Sequence, residues 1–179
     1  MARDSGDEPI IVRGEGLVLR EWNATDVPAM VEMFDIDEMD RWTPLAHPFD
    51  ADVATEYVRQ AQQARSDGTL QLAVTRDGGI PLGEVLLFPT DRAGVCEFAF
   101  AVGARHRGGR LAARALQALI PMAAAAGYET GRLVVATDNI ASQRTAEAAG
   151  FTPVAGPLQR RERKGYVHHM ATWTRTLAE

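Results

Sequence analysis

The sequence predicts an α/β domain built on a central mixed, mostly antiparallel twisted sheet flanked by helices, in the element order βααβββαβαββ. Three observations predict it. LVLREW alternates apolar and polar residues as a half-buried strand does, whereas the run from Asp50 repeats apolar residues at helical spacing. Three strand-like runs then follow one another, joined by turns rich in Asp and Gly, which is the pattern of antiparallel neighbours. A glycine pair, Gly108-Gly109, stands between the last of these runs and an alanine-rich helical run.

LVLREW (17–22) is the first strand, and Thr25 offers an N-cap for a helix through about Asp37. WTPLAHPF (42–49), with two prolines, is a loop ending at Asp50. Asp50 caps a second, amphipathic helix that carries Ala54, Tyr57, Val58, Ala61 and Ala64 and ends near Gly68. LQLAVTR, the turn Asp77-Gly78-Gly79 and IPLGEVLLF read as a hairpin, because the turn supplies residues that tolerate positive φ. VCEFAFAV (95–102) is the third strand of this set. The glycine pair leads into a helix to about Ala126, and RLVVAT (132–137) is the next strand. A short helix ends at Gly150, and strands near 151–155 and 166–175 complete the order.

Composition bounds the function. A chain of 179 residues, 46% hydrophobic and 24% charged, suits one globular domain with its own core. Residues 1–10 read as a disordered tail and 11–179 as a single domain, with no repeat or low-complexity linker. A net charge of -5 argues against nucleic-acid or anionic-membrane partners, which need lysine and arginine to neutralise phosphates. Any basic site is therefore local. The lone cysteine, Cys96, allows neither an internal disulfide nor a multi-cysteine metal site, so a reducing, cytoplasmic setting is expected. MARDSGDEPI has no apolar segment of a secretory signal, and no run of about 18 apolar residues occurs, so the chain is expected to be soluble and not exported.

The stretch ARHRGGRLAARAL, residues 104–116, sets Arg105, Arg107, Arg110 and Arg114 around the glycine pair at a helix start. A helix N-terminus presents unpaired N–H groups and about half a positive charge, so a glycine turn feeding it suits an anion, phosphate above all. The plainer alternative is an ordinary strand-to-helix turn with solvated arginines. A dinucleotide fold is excluded because no G-x-G-x-x-G occurs, and a P-loop because no Gly-Lys-Ser/Thr occurs.

Several separated segments agree in order across nearly the whole chain: GEGLVLREWNATD, GEVLLF, CEFAFAV, RGGRLAARAL and DNIASQRTAEAAGF. Together they resemble the GNAT superfamily of acetyl-CoA-dependent N-acetyltransferases, and most the branch containing the ribosomal-protein N-terminal acetyltransferases. The resemblance implies a sheet whose strands splay at the coenzyme site. It also implies that the turn, Arg or Gln, two residues, Gly, one residue, then Gly or Ala, holds the coenzyme A pyrophosphate through backbone N–H groups. Arg107, Gly108, Gly109, Arg110, Leu111 and Ala112 occupy that turn, with Arg110 where the middle glycine is expected. Shifting the register to Arg105 and Gly108 restores that glycine but leaves Arg110 in the last small-residue slot and spoils the match of ARAL. Arg110 can itself supply a charge-assisted bond to phosphate.

By the same resemblance, Phe100, Ala101 and Val102 offer backbone bonds to pantetheine, and Asn139 and Ser142 approach the coenzyme from the other side. The plainer alternative for Asn139 and Ser142 is a helix start. The acetyl transfer needs a neutral amine, which costs about 1 kcal/mol at pH 7 for an α-amine and about 4–5 for lysine. Glu97 resembles the glutamate base of the histone-acetylating relatives, acting through water; the alternative is an edge glutamate paired with an arginine. Many relatives place a tyrosine acid seven residues after the asparagine, where this chain has Ala146. Ser142 is a weak substitute, and release of thiolate to solvent is the other route.

Other residues take the plainer reading. Cys96 and Glu97 point to opposite faces of their strand, so Cys96 is a small buried hydrophobe. His168 and His169 also point oppositely, which argues against a shared metal. RRERK (160–164) is placed in a hairpin turn that can border the acceptor groove. Trp22, Trp42 and Trp173 are assigned to packing, with Trp42 a possible wall of the acceptor site. The expected activity is transfer of acetyl from acetyl-CoA to a primary amine, a protein N-terminus first, in a ternary complex without metal. The alternatives are a small-molecule amine acetyltransferase and a non-catalytic acyl-CoA-binding module, and the chain is expected to be a monomer or homodimer.

Overall fold

The computed structural model describes residues 8–177, so most of the expected tail lies outside the described residues. β1 (Ile11–Gly14) and β2 (Leu17–Glu21) form a hairpin. The sequence reading has no strand at 11–14, because four residues are too few for an alternating pattern to register.

The chain turns into its first helices at a capping box. Asn23 Oδ1 accepts from Thr25 N–H at 2.9 Å, and Asp26 Oδ2 accepts from Asn23 N–H at 3.0 Å. Asp26 is buried and held in a two-pronged ion pair by Arg20, at 2.7 and 2.8 Å. The cap is therefore Asn23 rather than Thr25, and the single helix expected through Asp37 is two: α1 (Val27–Phe34) and α2 (Asp37–Trp42). The break falls at Asp35, whose Oδ1 accepts from Phe49 N–H at 2.8 Å. α2 escapes periodicity because in six residues it buries only Met39. α3 (Ala51–Ala64) starts at Asp50 as expected, with Asp50 Oδ1 accepting from Asp52 and Val53 N–H at 3.1 and 3.0 Å.

β3 (Leu70–Thr75), β4 (Gly83–Pro89) and β5 (Val95–Val102) form the antiparallel middle of the sheet. The connection after β3 runs from Arg76 to Leu82, longer than the tight turn expected at Asp77-Gly78-Gly79. α4 (Leu111–Ala125), β6 (Thr130–Ala136) and α5 (Ile140–Ala148) follow. The chain ends in β7 (Thr152–Pro153), β8 (Gln159–Arg163) and β9 (Tyr166–Thr176). RRERK is thus mostly strand: the turn is Lys164-Gly165, both at positive φ (50° and 79°), as a two-residue hairpin requires.

The sheet order is β1-β2-β3-β4-β5-β6-β9-β7, with β8 pairing β9. Every pairing is antiparallel except β5 with β6. The mixed, mostly antiparallel sheet flanked by helices is as expected, with two strands and one helix more than the sequence reading named. One face packs on α4 and α5 through Phe98, Leu116, Leu119, Phe151 and Trp173. The other packs on α1 and α3 through Trp22, Met30, Phe34, Phe49 and Val58. Each large apolar side chain so buried contributes roughly 1.5–3 kcal/mol. Among the described residues no helix is long and apolar enough to cross a membrane.

Candidate functional site

The site originates where two strands part. β5 and β6 pair in parallel over only Val95–Thr130, Cys96–Gly131 and Glu97–Arg132, then separate. Beyond that point β5 remains paired with β4 through Val102, so its other edge, from Phe98 on, offers backbone groups to a ligand. Gly131 shapes the fork: a Cβ there would stand 2.7 Å from Cε2 of Phe98, which packs under the junction against Phe151 at 6.1 Å between ring centroids.

The glycine turn lies at the end of β5. Gly108 has φ 92°, and Arg110, the residue before the helix, is left-handed at φ 53°, ψ 27°. That explains why glycine suits this position and shows that an arginine occupies it with backbone strain of order 1–2 kcal/mol. The first helical bond runs from Arg114 N–H to Arg110 O at 3.0 Å, so the preceding N–H groups lack intrahelical partners. The four arginines have separate fates. Arg105 pairs with Glu32, Arg107 with Glu38 at 2.6 Å, and Arg114 donates to the Glu15 carbonyl at 2.6 and 2.9 Å. Arg110 has no carboxylate partner among the described residues.

A cleft of about 250 Å³ brings the expected residues together. Phe100, Ala101 and Val102 line it from the strand edge, Arg107, Gly108, Arg110, Leu111 and Ala112 from the turn, and Asn139 and Ser142 from the cap and first turn of α5. Gly109 is not a lining residue, and a Cβ at Gly109 would meet nothing within 4 Å. Asn139 is a helix cap as well, accepting from Ser142 N–H at 3.0 Å, so its plainer reading holds alongside its place in the cleft. Ala146 is fully buried in the core. Its neighbour Thr145 lines the cleft but donates its hydroxyl to the Ala141 carbonyl at 3.0 Å.

A second cleft, about 470 Å³, shares Trp42, Thr43, Phe100, Ala101, Asn139 and Ser142 with the first. Trp42 walls both, its ring 5.0 Å from that of His168 and under the Arg41 guanidinium at 4.5 Å. Glu97 is on the floor of the second cleft, and its Oε2 accepts from Arg132 Nε and Nη2 at 3.0 and 2.6 Å. The arginine pairing weighed for Glu97 is therefore present, although Oε1 is left over.

The family is decided by comparison with known proteins. The acetyltransferase (GNAT) domain model matches residues 16–152. The chain belongs to the GNAT acetyltransferase family. An acetyltransferase of this family from Bacillus anthracis superposes with TM-score 0.81 at 14% identity, covering 94% of this chain and 99% of the other. The microcin C7 self-immunity acetyltransferase MccE, in complex with acetyl-CoA and AMP, superposes at 0.78 with 18% identity, covering 89% and 92%. RimL, a ribosomal L7/L12 α-N-protein acetyltransferase in complex with coenzyme A, gives 0.78 at 17%, covering 94% and 98%. The likeness to the ribosomal-protein branch is thus one of fold. No curated protein sequence matches the chain.

In this GNAT acetyltransferase the second cleft also holds a buried carboxylate that sequence reasoning did not single out. Glu84 on β4 is 5% exposed, lines the second cleft, and accepts from the Tyr57 hydroxyl at 2.7 Å. Burial pushes its carboxyl up to about 7, with the Tyr57 hydrogen bond acting in the opposite direction. The signal was a single charge inside the apolar run IPLGEVLLF. Cys96 is wholly buried and its thiol is pushed up to about 11 by that burial, which suits a packing role. Among the described residues no three His, Cys, Asp or Glu side chains group as a metal site requires.

Proposed function

We propose that this enzyme transfers the acetyl group of acetyl-CoA to a primary amine, a protein N-terminal α-amine first, by direct attack in a ternary complex. The observation that carries this reading is the first cleft, lined at once by the helix-start turn, the released edge of β5 and Ser142. Its lining suits an anionic head and an extended arm: helix-start N–H groups from the turn and strand-edge peptide groups from β5. The fit at the turn is favourable, because Gly108 and Gly109 present no side chain and Arg110 brings an uncommitted guanidinium.

Arg107–Ala112 then hold pyrophosphate, Phe100–Val102 pair with pantetheine, and Ser142 anchors the coenzyme beside Asn139. The thioester is presented where the two clefts share their walls, and the acceptor enters through the second. The neutral amine attacks the carbonyl carbon, the C–S bond breaks, and thiolate leaves. Glu97 Oε1, through water, takes the proton that the amine loses. With Ala146 in place of a phenol, thiolate departs to solvent. A thiol of ordinary pKa about 8.5 tolerates that route. RimL, by its name a protein N-terminal acetyltransferase, shares the fold and supports the choice of acceptor.

The test is an acceptor screen by mass spectrometry over N-terminal peptides and small amines, with thiol release followed in parallel. Acetylated peptide α-amines are expected. Product from small amines alone replaces this acceptor with a small molecule, and saturable acetyl-CoA binding without any product assigns the chain as a binding module.

A further inference from the structure

We infer that the acceptor carries an anionic group, a carboxylate or phosphate, received by Arg161 and Arg163; this rests on the amine-acceptor reading above. β8 alternates strictly. Arg160 and Glu162 face outward and pair with each other at 2.9 Å, whereas Arg161 and Arg163, two residues apart, are half-buried and line the second cleft. The strand's one carboxylate is thus spent on the outer face. No carboxylate lies within ion-pairing distance of Arg161 or Arg163 among the described residues, although Glu84 and Glu97 line the same cleft and are engaged by Tyr57 and Arg132.

The arginine wall is held in place rather than loose. Lys164, in the turn that follows, pairs with Asp40 of α2 and donates to the Leu45 carbonyl, which ties the β8–β9 hairpin to the helix that ends at Trp42 and to the loop that carries Pro44. His168, opposite Arg161 in the β8–β9 register, is buried in the same wall. Desolvation, then repulsion from Arg161, holds the Arg163 guanidinium below its usual range, so two partly dehydrated like charges stand together facing a cavity. An oxyanion placed between them relieves both costs and suits the forked guanidinium geometry. An acceptor whose amine reaches the shared wall of the clefts while its anion rests on β8 satisfies the whole cleft. The chemistry is the same whether the anion is an acidic side chain near a peptide N-terminus or the carboxylate of a small amino acid.

Two matched pairs of acceptors test this at saturating acetyl-CoA. One is a seryl peptide with glutamate at its second and third positions against the same peptide with glutamine. The other is a small amino-carboxylate against its carboxamide. The acidic member of at least one pair is expected to be favoured about tenfold or more, through KM; the peptide pair alone assigns an acidic N-terminal segment, and the small pair alone a free acid. R161Q/R163Q is expected to erase the preference by raising the KM of the acidic member to that of its neutral partner, with acetyl-CoA KM near wild type. R161E/R163E is expected to shift preference to a peptide with lysine at those positions, an outcome that a purely structural role for β8 does not produce. Equal efficiency within both pairs, or a preference that survives R161Q/R163Q, overturns the inference and leaves the amine-acceptor reading standing. Absence of product from every amine overturns both.

Discussion

Glu97 and Arg132 form the last register pair joining β5 to β6, and two guanidinium nitrogens of Arg132 donate to the single oxygen Oε2 of Glu97, at 3.0 and 2.6 Å. The pair stands where the strands part and on the floor of the second cleft. Both bonds fall on Oε2, and Oε1 accepts no hydrogen bond among the described residues. Glu97→Gln is expected to lower kcat at neutral pH by about 10²–10⁴ while acetyl-CoA affinity stays nearly intact. Steady-state kinetics with calorimetry checks this. A wild-type rate would reduce Glu97 to the clamp.

Gly109→Val is expected to weaken acetyl-CoA binding by about tenfold or more, because the proposed pyrophosphate seat is the backbone of Arg107–Ala112, and a branched side chain at Gly109 crowds that turn although Gly109 itself does not line the cleft. The change itself costs the fold little, since a Cβ at Gly109 meets nothing within 4 Å and its φ is not left-handed. A weakened dissociation constant by calorimetry with an unaltered unfolding midpoint supports the turn's role. An unaltered dissociation constant sinks it.

Ser142→Ala separates anchor from acid. The anchoring role predicts weaker acetyl-CoA binding with kcat nearly unchanged at saturation. Loss of kcat above about a hundredfold with binding intact would make the serine a proton donor instead. The pH–rate profile is expected to rise through the base and amine pKa values with no falling limb from a tyrosine near pKa 10, because Ala146 is buried in the core rather than in the cleft.

Glu84 makes stability depend on pH. Its carboxyl rises from 4.5 in the unfolded chain to about 7 in the fold, chiefly by burial, so between those values the folded state binds the extra proton. Stability is therefore greatest below about pH 4.5 as far as this group is concerned and falls as pH rises toward and through 7. The elevation corresponds to roughly 3 kcal/mol lost by alkaline pH. Glu84→Gln keeps an acceptor for the Tyr57 hydroxyl and should flatten that slope. Urea denaturation at pH 5 and pH 8, for both proteins, reads it directly; the same slope in Glu84→Gln would exclude Glu84 as its source.

Much of the architecture is written locally. The bounds of β5 at Val95–Val102, the Asp50 cap, the helix start after the glycine pair and the helix stop at Gly150 all follow from residues within a few positions of one another. The residues of the turn, the strand edge and the start of α5 were likewise legible as one group, because each lies in a short motif, and all but Gly109 line one cleft. The tertiary structure alone decided what those motifs do to each other. Glu97 meets Arg132 across 35 positions, Arg107 meets Glu38 across 69, and Arg114 reaches the Glu15 carbonyl across 99. Neither the β8 strand nor its inward pair of arginines could be read from RRERK, since a run of charges has no apolar alternation to reveal a face. Burial of Glu84 has the same origin. A side chain's pKa and partners depend on which distant elements pack over it, whereas sequence periodicity reports only the direction in which it leaves its own backbone.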